Sequence, residues 1–163
     1  MIDDLIWHVA ERTIPAALDL LPGKMASAPA RAMLLAIGLQ ESGFKARIQM
    51  PRGPAHGWWQ FEKNGGVAGV LEHPLTAPII TPICDLLVYP ATTIACYAAI
   101  VDNDVLAACF ARLLLWTDPR ALPKANESAK GWSIYLAQWR PGKPHRETWA
   151  LHFAEAWRIV NGE

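Results

Sequence analysis

A mainly helical fold is expected here: several short helices around one buried central helix, with at most a small β-hairpin or flap. Three observations predict it. Apolar residues recur at helical spacing or fill whole runs, proline and glycine cut the chain into pieces of helix length, and no stretch alternates with period two for more than a few residues. The length of 163 residues suits a single domain over 1–163. A chain of that size can bury about 70% of the surface it exposes when unfolded.

The first element is an amphipathic helix, with Ile2, Leu5, Ile6 and Val9 at i, i+3, i+4 and i+7 and with Asp3 and Asp4 in the first turn, where the macrodipole favours them. This start has neither the basic residues nor the long apolar run of a secretion signal, so synthesis as a soluble cytoplasmic chain is expected. No stretch reaches the roughly 18 uncharged apolar residues of a membrane span. A second helix over 15–21 ends at Pro22-Gly23. Next comes 29–41, which is almost wholly apolar: after Pro29 in its first turn, Arg31 is the only charge before Glu41 closes it ahead of Gly43. A carboxylate is out of place there. The negative end of the macrodipole and desolvation both favour its protonated form, and a carboxyl still protonated near neutral pH is a general acid. The plainer alternative is that Glu41 marks where the helix surfaces.

Around 49–61 a short hairpin or irregular flap is the only β structure expected. The glycines of 65–71 read as a helix start or tight loop; they do not follow a strand and lack the Lys-Ser/Thr pair of a phosphate loop, so they serve close backbone approach to a ligand or to packing neighbours. Pro78, Pro82 and Pro90 limit 76–90 to short helical turns. Two apolar helices, 91–102 and 104–116, meet near Asp102-Asn103 and join 29–41 as the hydrophobic centre. Trp132, Tyr135 and Trp139 share one helical face, either as a sugar-stacking platform or, the preferred reading, as a core stripe. The basic stretch 140–146 reads as a solvated loop rather than a grip for substrate carboxylates. Trp149, Phe153, Trp157 and Val160 make the apolar stripe of a closing helix.

Lys and Arg (15) balance Asp and Glu (15), so the net charge gives no electrostatic footprint of a nucleic-acid binder and leaves only a local basic patch open to one. Eight tryptophans suit either a core or the stacking of sugar rings. Cys84, Cys96 and Cys109 form no Cys-x-x-Cys pair, have no His cluster beside them and lie in apolar helical context, so they are expected to be buried small hydrophobes rather than zinc ligands or disulfides.

Glu41-Ser42-Gly43-Phe44, followed after the Gly/Pro-rich segment 51–56 by Gly57-Trp58-Trp59-Gln60-Phe61, resembles the Glu-Ser-x-Phe and Gly-Leu-Met-Gln motifs of the lysozyme-like superfamily. The nearest likeness is to the soluble lytic transglycosylases, enzymes that cut the glycan strand of peptidoglycan. It covers about residues 30–62, and the rest of the chain matches in length and helical character. The resemblance implies an α+β lysozyme-like fold and cleavage of the β-1,4 bond between N-acetylmuramic acid and N-acetylglucosamine, with no metal and no cofactor. Glu41 would be the general acid, with Ser42 beside it among the substrate-binding residues. Gln60 would point polar atoms at the glycan, while Trp58, Trp59 and Phe61 would form an apolar wall that holds sugar and raises the Glu41 pKa. One of Trp58 and Trp59 should face the cleft and the other the core, as neighbours in an extended segment do. Peptidoglycan is thus the expected partner, with nucleic acid and membrane insertion excluded and the protein a monomer. It would act on the cell wall or periplasm, or ride on a phage particle, carried over the membrane by some other device in the manner of phage lysis enzymes.

Two departures qualify the mechanism. The third family motif, Ala-Tyr-Asn-x-Gly, is replaced by Trp116-Thr117-Asp118-Pro119, so either the tyrosine's role is lost, or Tyr135 supplies a hydroxyl from another helix, or Asp118 makes a second carboxylate. A serine common in the family is also absent from 45–56. Glu62 sits beside Lys63 and is expected to face solvent, and Asp118 has the setting of a turn or cap. A single-acid route to anhydro products is therefore preferred over a two-carboxylate hydrolase. A glycan-binding or virion-structural protein without activity is the alternative from another class.

Overall fold

The structure is a computed structural model that describes residues 3–163. Ile2, placed on the first helical face above, lies outside the described residues. The chain is mainly helical, as expected. Helix α1 (Asp4–His8) runs through a π turn (Val9–Thr13) into α2 (Ile14–Leu20). A 3-10 turn (Gly23–Met25) leads to α3 (Ala28–Glu41), and a second π turn (Lys63–Val67) leads to α4 (Ala68–Glu72). Then follow α5 (Ala77–Leu86), α6 (Thr93–Ala99), α7 (Asp104–Trp116), α8 (Ser128–Trp139) and α9 (Arg146–Val160).

Helix α3 is the axis of the molecule. Ser27 caps it by accepting from the Ala30 N–H at 3.1 Å, and Pro29 stands in the first turn, where its missing N–H leaves no helix bond unmade. From Ala32 to Leu39 every side chain is buried, so no face of the helix meets solvent there. Helix α9 lies along it, burying Trp149, Phe153, Ala156 and Ile159, and α7 contributes a second run, Leu106 to Leu115, that is buried on all sides. Asn103 starts α7 by accepting from the Leu106 N–H at 2.9 Å. The buried apolar side chains of α2, α3, α5, α7, α8 and α9 form one continuous cluster. Among the described residues no single helix is long and apolar enough to cross a membrane.

Several elements differ from expectation for local reasons. Pro15 does not begin a new helix; the preceding turn widens, with Ile14 donating to Val9 O, so that the ring is taken in without a break. Helix α5 is longer than short turns, because Pro78 occupies its first turn and Pro82 stands on an exposed position where water can reach the carbonyl left without a donor. Helix α6 is shorter than 91–102 and buries only Cys96, so α3 and α7 alone form the centre. Cys84, Cys96 and Cys109 are all buried and free. Of the hairpin or irregular flap expected around 49–61, the flap is found, carrying two isolated antiparallel bridges, Ile48 with His56 and His56 with Phe61.

Glycine 38 shows how tightly α3 is covered. A Cβ built there would lie 2.3 Å from Cζ of Phe44, the tip of whose ring fills the space. Alanine normally gains up to about 1 kcal/mol over glycine inside a helix, whereas overpacking a full core loses about 1 to 3 kcal/mol. Gly38→Ala should therefore destabilise the fold in urea unfolding, and the loss should shrink or reverse when Phe44→Leu is made as well, which a double-mutant cycle measures. A stabilised single variant would show that the Phe44 ring moves freely.

Candidate active site

Glu41 is the last residue of α3, and the chain turns sharply behind it. Gly43 takes the left-handed conformation (φ 59°) that closes a helix, its N–H donating to Gly38 O at 3.0 Å. That turn throws Phe44 back onto α3, edge-on to Trp58 and Trp59 with ring centres 5.9 and 6.2 Å away. Ser42 Oγ donates to Trp58 O at 2.7 Å and accepts from the Phe44 N–H at 3.1 Å. The Trp59 indole donates to Leu34 O at 2.8 Å, inside α3 itself. The two stretches singled out in the sequence are thus one packed unit that fixes the backbone on either side of the glutamate.

The Glu41 carboxyl opens on a cleft of about 890 Å³, walled by Gln60, Glu62, Tyr135, Trp139 and Arg140 among others. Tyr135, carried in on α8, donates its hydroxyl to Glu41 Oε1 at 2.5 Å. The phenol cannot swing away: its ring is buried and stacks on Trp149 with centres 5.2 Å apart and planes 10° from parallel. Burial pushes the Glu41 pKa up to about 7, and the Tyr135 hydrogen bond, which favours the ionised form, acts against that rise. Burial and the neighbouring Glu41 charge push the Tyr135 hydroxyl up as well, so it remains a donor. Since Oε1 accepts from Tyr135 and no described residue bonds Oε2, the acidic proton belongs on Oε2. Near neutral pH this is a carboxyl poised to give or take one proton.

Around it the walls are braced. Gln40, next to the acid, donates to His145 O at 2.9 Å and accepts from Thr148 Oγ1 at 3.1 Å and from the His152 ring at 2.8 Å. Trp139 donates its indole N–H to Trp59 O at 2.9 Å, joining α8 to the tryptophan turn. The flap 45–56 is held by Arg47, which pairs with Asp104 and donates to Val101 O, and by His56, whose ring stacks on Tyr97 at 3.7 Å.

The structure places the sequence-derived candidates unevenly. Glu41, Gln60 and Tyr135 come together on the cleft, where Tyr135 supplies a hydroxyl to Glu41 from another helix. Gln60 sits in the left-handed region (φ 53°), its amide nitrogen donating to Gly57 O at 2.9 Å, and no described residue donates to its amide oxygen. Trp58 and Trp59 are corrections: both are buried and neither lines the cleft. The alternation of an extended strand does not apply, because positive φ at Gly57 (75°) and Gln60 curls the segment into a turn whose tryptophans both point inward. Phe61 borders the cleft but is only 2% exposed, so it is core that backs the wall rather than a surface for sugar. Ser42 spends its hydroxyl on the backbone of the turn. Asp118 stands away from Glu41, lining a different pocket, paired with Arg120 at 2.8 Å and accepting from Gln138 at 3.0 Å. These donors hold its carboxyl well below the usual range, and the turn-or-cap reading describes it better than a second carboxylate.

Trp132 is likewise core, packed on Tyr135 and Trp149, whereas Trp139 of the same face does reach the cleft. Glu62 is exposed as expected, yet it stands on the cleft wall, which its place beside Lys63 did not suggest. Gln40 and Gln138 were not singled out; the signal available was an amide one residue before the acid and another inside an aromatic helix. Arg140, Lys143 and His145, read as plain loop, edge one end of the cleft. Among the described residues no three of His, Cys, Asp and Glu gather as ligands for a metal ion. Comparison of the chain with protein families, with curated proteins and with solved structures finds no match.

Two outcomes follow from the Tyr135–Glu41 pair. Because the hydroxyl lowers the Glu41 pKa, Tyr135→Phe should raise the midpoint of the Glu41 carboxyl in a ¹³C NMR titration; a fall would mean that the hydroxyl favours the neutral acid. A carboxyl whose pKa is higher folded (about 7) than unfolded holds its stability below about pH 4.5 and loses it as pH rises through 7. Glu41→Gln should then be more stable than the parent by about 2 kcal/mol at pH 8, allowing for partial exposure, and nearly equal to it at pH 4, as measured by urea unfolding.

Proposed function

We propose that this protein cleaves the β-1,4 bond between N-acetylmuramic acid and N-acetylglucosamine in peptidoglycan, as a lytic transglycosylase with one catalytic carboxyl on a lysozyme-like fold. The observation that carries the reading is the half-buried Glu41, with a pKa near 7, held by Tyr135 at the wall of a cleft large enough for several sugar rings. The motif resemblance around residues 30–62 supports it and supplies the substrate class.

In this reading Glu41 Oε2 gives its proton to the glycosidic oxygen as the C1–O bond breaks, and the N-acetylglucosamine 4-hydroxyl leaves. The muramic acid's own 6-hydroxyl then closes on C1 and returns its proton to the Glu41 carboxylate, leaving a 1,6-anhydro ring and the enzyme as it began. Tyr135 holds Oε1 throughout, which keeps Oε2 aimed at the substrate and steadies the carboxylate formed midway. The Gln60 amide oxygen is available to a sugar hydroxyl or N-acetyl N–H.

One observation favours a second reading. Glu62 shares the cleft wall with Glu41, so a two-carboxylate hydrolase would use Glu62, and not Asp118, as its second acid. Mass spectrometry of the released muropeptides separates the two. Anhydro ends, with Glu41→Gln losing at least about a hundredfold in wall clearing and Glu62→Gln and Asp118→Asn staying near the parent, are expected. Reducing ends together with an inactive Glu62→Gln would establish the hydrolase, and binding of cell walls with no release at all would leave a glycan-binding protein.

A further inference from the structure

A second pocket of about 650 Å³ lies where the turn before α3, the carboxyl end of α7 and the segment 117–122 meet, and it shares no lining residue with the Glu41 cleft. Its walls are mostly apolar, with Leu75, Leu115, Trp116 and Leu122, but three cations reach it: Lys24, Arg112 and Arg120. Arg120 is answered by Asp118, which it grips through two nitrogens at 2.9 and 2.8 Å. The other two are not answered.

Arg112 is the unusual one. It sits within the buried run of α7 and is only 4% exposed, yet no described carboxylate lies within ion-pair reach. Its Nε donates to Met25 O at 2.9 Å, and its two terminal nitrogens bond no described residue. Burial draws its pKa down to about 10, so it is charged throughout the neutral range. A buried cation without a counter-charge is destabilising and rare in protein interiors. Here the side chain also forms part of the pocket wall, beside the face of Trp116 (5.4 Å), and the Lys24 ammonium stands 5.3 Å from the same ring. Ser27 and Pro29 bring in the positive end of the 14-residue helix α3. The one acid on the wall, Asp118, is already occupied by Arg120 and Gln138.

We propose that this pocket binds a small organic carboxylate with an apolar body, its carboxylate taken by Arg112 and Lys24 and its body lying against Trp116, Leu115 and Leu122. The planar guanidinium fork suits a carboxylate's two oxygens, and the apolar walls leave little to hold a bare, fully hydrated anion. The site stands apart from the Glu41 chemistry and does not depend on the function assigned to it.

The test is an NMR titration of the full chain, following the Trp116 indole N–H, with N-acetylphenylalanine, its uncharged amide and inorganic phosphate as probes. The carboxylate should shift the resonance saturably, at least about tenfold more tightly than either other probe. Arg112→Met should abolish the shift, and Lys24→Gln, at an exposed position where folding is not at risk, should weaken it at least about threefold. Equal binding of the amide would overturn the role of the two cations, equal binding of phosphate would overturn the role of the apolar body, and no saturable shift, or full affinity in Lys24→Gln, would overturn the site.

Discussion

A helix without a polar face has to be covered on every side, and α3 is such a helix. Its surroundings follow from that need: α9 along one flank, α7 and α2 on others, and at its carboxyl end a plug made by Phe44, Trp58 and Trp59 where no further helix is available. At the carboxyl end the cover gives way at Gln40 and Glu41. A carboxyl at the rim of an apolar core is partly stripped of water but still within reach of a ligand, and it resists ionising for the same reason that the core is dry. Structural and chemical demands therefore converge on a single residue, because the chain that buries α3 also makes the acid weak.

Tyr135 tempers this. Its hydroxyl reaches Glu41 from a different helix, and its ring is fixed between Trp132 and Trp149 rather than by any polar contact. Aromatic packing in the core thus sets the position of a proton donor at the surface. Helix α7 ends at Trp116 and the chain runs on through Thr117-Asp118-Pro119. Here that helix end is devoted to an Asp118–Arg120–Gln138 network and to the wall of another pocket.

Much of this was open to inspection in the sequence, for identifiable reasons. Glu41 stood out because a charge closes an otherwise apolar run, unbroken apolar runs marked α3 and α7, and helical spacing marked the Trp149 stripe of α9. The fates of Trp58 and Trp59 were not legible, since their direction depends on positive φ at Gln60, a conformation that glutamine rarely adopts and no pattern announces. Glu62 is exposed, as its neighbour Lys63 suggested, but its place on the cleft wall was not legible, because adjacency in sequence says nothing of which wall a turn builds. Arg112 gave no sign at all: one arginine in an apolar helix suggests a snorkelling surface residue, and only the fold reveals it as buried.

Gln40 carries a mechanical consequence. Through His145, Thr148 and His152 it ties the beginning of α9 and the end of the basic loop to the residue next to the acid, so that side of the groove and the carboxyl behave as one rigid piece. The opposite bank is built otherwise: the stretch 45–56 has no regular structure beyond its two bridges and hangs from Arg47 and His56. Gln49 and Ala55 bring this stretch to the groove wall, so the width on that side is set from 45–56, while the direction of the Glu41 carboxyl is set from the other side.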